Sequence, residues 1–217
     1  MSHDTSEVKT IMEQLKESTA QMHDAAESSQ FQAHLAQGQL PISVYADYLE
    51  QLFFIHKALE DCFSEQQKKG HKASAVVTAQ QLQEQFLRDD LQALGRNIAT
   101  AKTVPATRKI LGQIEQLSAN QPSGLLGMHY VLLGSKHGGK FIAKTCQDAY
   151  QFKEGAGARY FDPYGSNFMP VWKEFKDAVN NLTLSEEEKA EMCKAAGSMF
   201  VGIGQIGGEL MATAKNA

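Results

Sequence analysis

The sequence predicts an all-α protein of one domain, on three observations. Apolar residues recur at the i, i+3, i+4 spacing of amphipathic helices along nearly all of the chain. No segment shows the alternation of a half-buried strand or the turn of a hairpin. Proline and glycine stand where helices would start and stop, and no linker or internal repeat divides the chain. A chain of 217 residues is then expected to form a single domain over 1–217, with a core from about residue 8 to about residue 213.

The first helix is read from Val8, Ile11, Met12, Leu15, Thr19, Met22 and Ala26, which form one stripe. A short second helix covers Phe31 to Gln37 and stops at Gly38. Pro41 opens a long third helix carrying Tyr45, Tyr48, Leu49, Leu52, Phe53, Ile55 and Leu59, which fades near Gln66 to Gly70. A fourth is expected over Ala79 to Leu94, ending at Gly95, and a fifth after Pro105 through Ile110, Leu111, Ile114 and Leu117. Pro122 starts a long helix that continues to about Tyr150. Gly155, Gly157, Pro163, Gly165 and Pro170 mark an irregular connection. Two helices close the chain, near Val171–Asn180 and Ser185–Met211, the second opened by a capping box at Ser185 to Glu188.

Composition narrows the function. With 42% hydrophobic and 21% charged residues, the chain can build a core and is not disordered. A formal charge of −4 supplies no basic excess for nucleic acid. The three cysteines, Cys62, Cys146 and Cys193, form no CxxC pair, which points to ordinary thiols in a reducing compartment rather than a disulfide framework or zinc site. The start of the chain lacks the basic-then-apolar pattern of a secretory signal, and no apolar run approaches the ~20 residues of a membrane span. A cytoplasmic protein without a membrane partner is expected.

Two features stand out as chemistry. Gly134, Gly138 and Gly139 sit inside the long helix that follows Pro122, flanked by Leu125, Leu126 and Met128 before and by Phe141, Ile142 and Ala143 after. Each costs about 1 kcal/mol relative to Ala in a helix interior, so together they cost on the order of 3 kcal/mol. A kink, close packing of another helix, or a flat ligand against bare backbone would each offset that cost. On the first helix, Thr19, His23 and Glu27 are four apart and share a face. An inward-facing His23 is either a boundary histidine of the core or a ligand for iron, and Glu27 is placed to orient it. Lys16, two turns earlier, is in reach of a carboxylate at the edge of a planar cofactor held by His23.

These residues carry a resemblance. The segment from Leu15 to Glu27 is similar to the proximal helix of haem oxygenases, and Tyr130 to Gly139 resembles their distal helix, with its Gly-x-x-x-Gly-Gly spacing. Tyr45, Tyr48-Leu49 and Ala58-Leu59-Glu60 fit the family's second long helix. Gly157, Tyr160-Phe161, Trp172, Phe175 and Phe200 follow in the family's order, so the likeness runs from about Leu15 to Leu210. The resemblance implies a haem oxygenase-like helical bundle with haem between proximal and distal helices. It implies His23 as the iron ligand, and Gly134, Gly138 and Gly139 over the other haem face. Lys16 and Lys176 match basic positions near the propionates, and Phe200 matches an aromatic of the haem pocket. The implied reaction opens haem with O2 to biliverdin, carbon monoxide and ferrous iron. Haem is then both cofactor and substrate. Electrons come from a ferredoxin or flavoprotein reductase, because the chain has no dinucleotide fingerprint of its own. A monomer is the default for this family.

The chain departs from the family at Ser135, where many members carry an Asp that anchors water for proton delivery. A hydroxyl holds a water but relays protons less well than a carboxylate. His137, between Ser135 and Gly138, is either a surface histidine or a contact to pocket water or iron. His129 falls where the family often has an aromatic, with packing as the simpler reading. His3, His34, His56 and His71 have no constellation around them, and Arg88, Asp89 and Asp90 read as a solvated face, with a charged network beside the pocket as the alternative. The competing function is a haem carrier or sensor with the same fold. A di-iron site is disfavoured by the absence of Glu-x-x-His pairs, and thiamin salvage by the absence of a convincing active-site cysteine.

Overall fold

The structure, a computed structural model, describes residues 9–153 and 156–215. Val8, His3 and Gly155, which the sequence reading used, lie outside the described residues. Among the described residues the chain is helical throughout, in the order α1 (Ile11–Glu27), α2 (Gln30–Ala36), α3 (Ile42–Lys68), α4 (Glu84–Ala93), α5 (Pro105–Asn120), α6 (Ser123–Gly134), α7 (Gly139–Tyr150), α8 (Phe168–Asn180) and α9 (Glu186–Lys215). Short 3-10 turns join several of them. Among the described residues no helix is long and apolar enough to cross a membrane.

Local chemistry sets the ends. Thr10 and Glu13 form a reciprocal capping box at the start of α1, so the helix begins there. Pro105 occupies the first turn of α5, and Pro41 and Pro122 immediately precede α3 and α6. Ser185 and Glu188 close the expected box at α9. The Glu188 carboxylate accepts the Ser185 N–H at 2.8 Å, and the Ser185 hydroxyl accepts the Glu188 N–H at 3.2 Å.

Two expected helices are broken. The segment from Ala79 to Leu94 is a 3-10 turn at Ala79–Gln81 followed by α4. The break comes from a tertiary partner. The Glu60 carboxylate of α3 accepts the N–H groups of both Gln83 and Glu84, at 2.8 and 3.0 Å, and so caps α4 from outside. The helix expected from Pro122 to Tyr150 is α6, a 3-10 turn at Ser135–His137, and α7. The glycines therefore mark a true interruption.

One continuous core unites the helices, with Leu15 of α1, Leu49, Ile55 and Leu59 of α3, Ile114 of α5, Leu125 and Leu126 of α6, Phe175 of α8 and Ile206 of α9 all buried. The aromatic stripe of α3 is core, with Tyr45, Tyr48 and Phe53 buried and Phe54 packed against the core. Helix α9 lies along α6 closely enough that a Cβ on Gly127 would stand 2.0 Å from the Met192 carbonyl oxygen. Helix α1 lies on the same long helix, and Asn180, the last residue of α8, accepts the free N–H of Met12 at its start. These contacts fix α1 and the α6–α7 break relative to one another.

Candidate functional site

Helix α1 buries Ile11, Met12, Leu15 and Thr19. One turn later the stripe leaves the core, and His23 stands at its margin with its side chain 50% exposed. The imidazole is thus at the boundary of the core rather than inside it. Beyond Thr19 even the stripe residues Met22 and Ala26 are only half-buried, so the end of α1 lies at the edge of the core. Its ring meets Phe200 of α9 edge-on, with centroids 5.6 Å apart. Glu27 lies one turn on, 3.5 Å from Nε2, and Asp24 lies 3.7 Å from Nδ1. Both distances exceed a good hydrogen bond, so neither ring nitrogen is committed to its neighbour. Lys16 is exposed and Lys176 half-buried, and neither forms an ion pair among the described residues.

The three glycines of the break have three different surroundings. A Cβ on Gly134 would meet the Trp172 ring at 3.5 Å, which is ordinary contact. On Gly138 it would meet nothing within 4 Å. On Gly139 it would stand 1.8 Å from the Phe161 carbonyl oxygen, so only glycine lets the 156–161 loop approach α7. Ser135 is exposed, and its hydroxyl donates to the Leu132 carbonyl at 2.7 Å. His137 donates from Nδ1 to the Gly134 carbonyl at 2.8 Å. Its ring stands edge-on against Phe168 and Trp172, 4.8 and 5.0 Å away. It is an exposed histidine held by an aromatic wall, with Nε2 free. Tyr130 of α6 continues that wall against Trp172, with ring centroids 5.8 Å apart.

Beneath the break lies a buried polar cluster. Lys136 is 5% exposed, its Nζ has no hydrogen-bond partner, and it sits 3.1 Å from the centroid of the Tyr160 ring. Burial drives its pKa well below the ordinary lysine value, opposed by the charge of Asp90. Asp90 is fully buried and accepts the N–H groups of Arg159 and Tyr160 at 3.0 and 2.8 Å. The solvated face expected for Arg88, Asp89 and Asp90 therefore holds only in part. Arg88 pairs with Glu84, and Asp89 is 3.7 Å from Arg159, but Asp90 ties down the 156–161 loop.

The Tyr160 hydroxyl is 3.1 Å from His56 Nε2, and His56 Nδ1 is 3.3 Å from Glu60. Burial lowers the His56 pKa, against the pull of Glu60, and raises that of Tyr160 well above its usual value. His56, to which the sequence assigned no role, is thus the centre of a constellation. Its i, i+4 relation to Glu60 was visible in the sequence, but its contact to Tyr160, 104 residues away, was not. His129 packs as the simpler reading had it. It lies between Phe63 and Phe175, donates to Gln81 at 3.1 Å, and is held neutral by burial, its pKa pushed down to about 3.

A family model described as "Heme oxygenase" matches residues 9–206. Among curated relatives, "Heme oxygenase 2" of Rattus norvegicus is 27% identical over 207 residues, which covers 92% of this chain and 65% of the rat protein. The chain thus spans slightly less than two thirds of that relative. "Heme oxygenase 1" of Gallus gallus is 25% identical, over 93% of this chain and 68% of its own length. Among solved structures, the heme oxygenase of Leptospira interrogans superposes with a TM-score of 0.83 at 24% identity, covering 93% of this chain and all (100%) of the other. Heme oxygenase-1 of the cyanobacterium Synechocystis, solved in complex with heme, has a TM-score of 0.86 at 22% identity, covering 94% of each chain. At these identities the structural likenesses establish the fold.

Proposed function

The chain belongs to the haem oxygenase family, and from that premise we propose that it opens haem oxidatively to biliverdin, carbon monoxide and ferrous iron, using O2 and electrons from an external donor. The observation that carries the reading is His23, a half-exposed imidazole beside Phe200 with both nitrogens uncommitted, on the helix that faces α9. Among the described residues no three His, Cys, Asp or Glu side chains gather as a cage for a bare ion. One neutral histidine is what a haem iron takes from one side.

In this reading haem supplies the iron that binds O2 and the ring that is cut. His23 ligates the iron, and Glu27 steadies the imidazole from one turn away. Lys16 and Lys176, neither of which forms an ion pair among the described residues, take the propionates. Phe200 lines the pocket edge. Gly134 and Gly138 present bare backbone on the opposite side, Gly138 toward open space, and Gly139 seats that backbone against the 156–161 loop. Ser135 holds water near the reacting oxygen, where proton supply matters. The chain works as a monomer in the cytoplasm, served by a ferredoxin or flavoprotein reductase.

The test is to load the protein with one equivalent of haem, add ascorbate or a ferredoxin reducing system in air, and follow the spectrum with a carbon monoxide trap. Loss of the Soret band with biliverdin and carbon monoxide appearing supports the reading. A stable ferrous or oxygen-bound spectrum without bilin contradicts it and favours a carrier or sensor.

A further inference from the structure

We propose that His137 is a second ligand of the haem iron, its Nε2 taking the position opposite His23 in the resting protein and leaving when a gas binds the reduced iron. The proposal rests on the reading of the site above and goes beyond it, since that reading needs one histidine only. It starts from the place of His137 in the break between α6 and α7. Residues three apart eclipse one another in a 3-10 turn, so His137, which ends the Ser135–His137 turn, shares a face with Gly134. The surroundings agree. A Cβ on Gly134 would meet the Trp172 ring at 3.5 Å, and the His137 ring stands 5.0 Å from that same ring. Gly138, the next residue, has open space where its Cβ would be. A flat ligand laid against Gly134 and Gly138 therefore also covers the position of His137.

The ring is prepared as a ligand. A carbonyl oxygen can only accept, so the 2.8 Å contact of Nδ1 with the Gly134 carbonyl puts the proton on Nδ1. In the neutral ring the lone pair is then on Nε2, which has no partner among the described residues. One nitrogen fixed on a backbone carbonyl and the other left bare is the arrangement that orients an imidazole toward a metal. Phe168 and Trp172 stand edge-on to the ring and hold its plane. The residue is exposed, so iron reaches Nε2 without unpacking the core. His56 and His129 offer a contrast. Both are buried, and their Nε2 atoms are spent on Tyr160 and Gln81.

The turn is also built to let the ligand go. It lies between two separate helices, and Gly138 after it has room to move. Gly139 is seated on the Phe161 carbonyl, so movement of the turn stops at the start of α7. Ligation makes one bond from the Nε2 lone pair to iron, and departure breaks it. Nε2 carries no proton, so neither a proton nor an electron moves with the exchange. Iron held by both imidazoles has no open position, and a gas waits for His137 to leave. A closed form that makes up about 90% of the reduced protein lowers apparent gas affinity about tenfold.

The test is the electron paramagnetic resonance spectrum of the ferric haem complex, with the carbon monoxide affinity of the reduced complex, in wild type, His137→Ala and His137→Asn. Asn keeps an N–H donor for the Gly134 carbonyl and has no imidazole, so it separates ligation from support of the turn. The wild type is expected to be low-spin with two imidazole ligands. Both variants are expected to lose that signal, keep one histidine on iron, and bind carbon monoxide about tenfold more tightly. A high-spin wild type overturns the proposal and leaves the proposed function standing. A low-spin signal that survives in either variant overturns it too, and survival in Asn alone assigns the role of His137 to its hydrogen bond. These readouts need no turnover. A protein that binds haem without opening it contradicts the proposed function, and its spectra still decide for or against His137. Failure to bind haem overturns both.

Discussion

The His23 side of the proposed site is carried mainly by α1, with Phe200 of α9 against it, while the glycine side is assembled from α3, α4, the 156–161 loop and the break between α6 and α7. His23, Glu27 and Lys16 are neighbours in sequence and exposed, and His23 meets Phe200 edge-on. On the glycine side, Gly139, Lys136, Tyr160, His56 and Asp90 are buried and held by backbone contact, hydrogen bonds and a cation over a ring. A ligand wall at a helix surface tolerates change in everything but the ligand. A wall built by mutual burial couples stability to chemistry, because replacing any member disturbs the others.

Adjacent glycines give the sharpest way to break this comparison. Gly139→Ala puts a methyl group onto the Phe161 carbonyl and is expected to destabilise by about 3 kcal/mol or more, read as a large fall in melting temperature or loss of soluble protein. Gly138→Ala has open space and a φ of −93°, so it is expected to leave stability unchanged or raise it by about 0.5 kcal/mol. In the proposed site its methyl stands where haem lies, so haem affinity falls while melting does not. Equal effects of the two substitutions on stability would contradict the division of labour between them.

Lys136→Met sharpens the picture of the buried side. The amine is buried without a partner, a cost of about 1–3 kcal/mol. Its folded-state pKa lies below the ordinary 10.5, so the folded protein binds fewer protons than the unfolded chain in that window. Stability therefore rises with pH up to about 10.5 as this penalty fades. The variant is expected to melt higher at neutral pH, with the advantage shrinking as pH is raised. A variant that melts lower at every pH would show that the ammonium over Tyr160 stabilises the turn.

A smaller effect is expected away from both walls. Glu188 is held down to about 2, chiefly by the Ser185 N–H and then by Lys72 and Ser123. Its folded pKa is lowered, so its contribution is full above the ordinary 4.5 and is lost as pH falls toward 2. The carboxylate is 28% exposed by surface area, so solvent screening keeps the contribution below about 1 kcal/mol. Glu188→Gln should flatten acid unfolding across that interval and leave haem binding alone. A change in haem binding would place α9's start in the site's machinery.

What was legible in the sequence follows the same division. The helices that carry local signals were readable, with Pro41, Pro105 and Pro122 at their starts and Ser185 with Glu188 at α9. His23 and Glu27 were readable because their spacing is local. The depth of His23 was not, since the apolar stripe runs on in the sequence to Ala26 while full burial ends at Thr19. The break at Ser135–His137 was marked by its glycines, but Gly139 owes its necessity to a carbonyl in a distant loop. The split before α4 was hidden for the same reason, because Glu60, 23 residues earlier than Gln83, caps it. Asp90 looked solvated because its partners, the N–H groups of Arg159 and Tyr160, lie about 70 residues away.

The most direct test of the account is the absorption and electron paramagnetic resonance spectrum of the ferric haem complex, wild type against His23→Ala. The account predicts a histidine-ligated spectrum in the wild type that His23→Ala loses and added imidazole restores. An unchanged spectrum in His23→Ala would place the iron elsewhere, with His137 and its free Nε2 the first residue to examine.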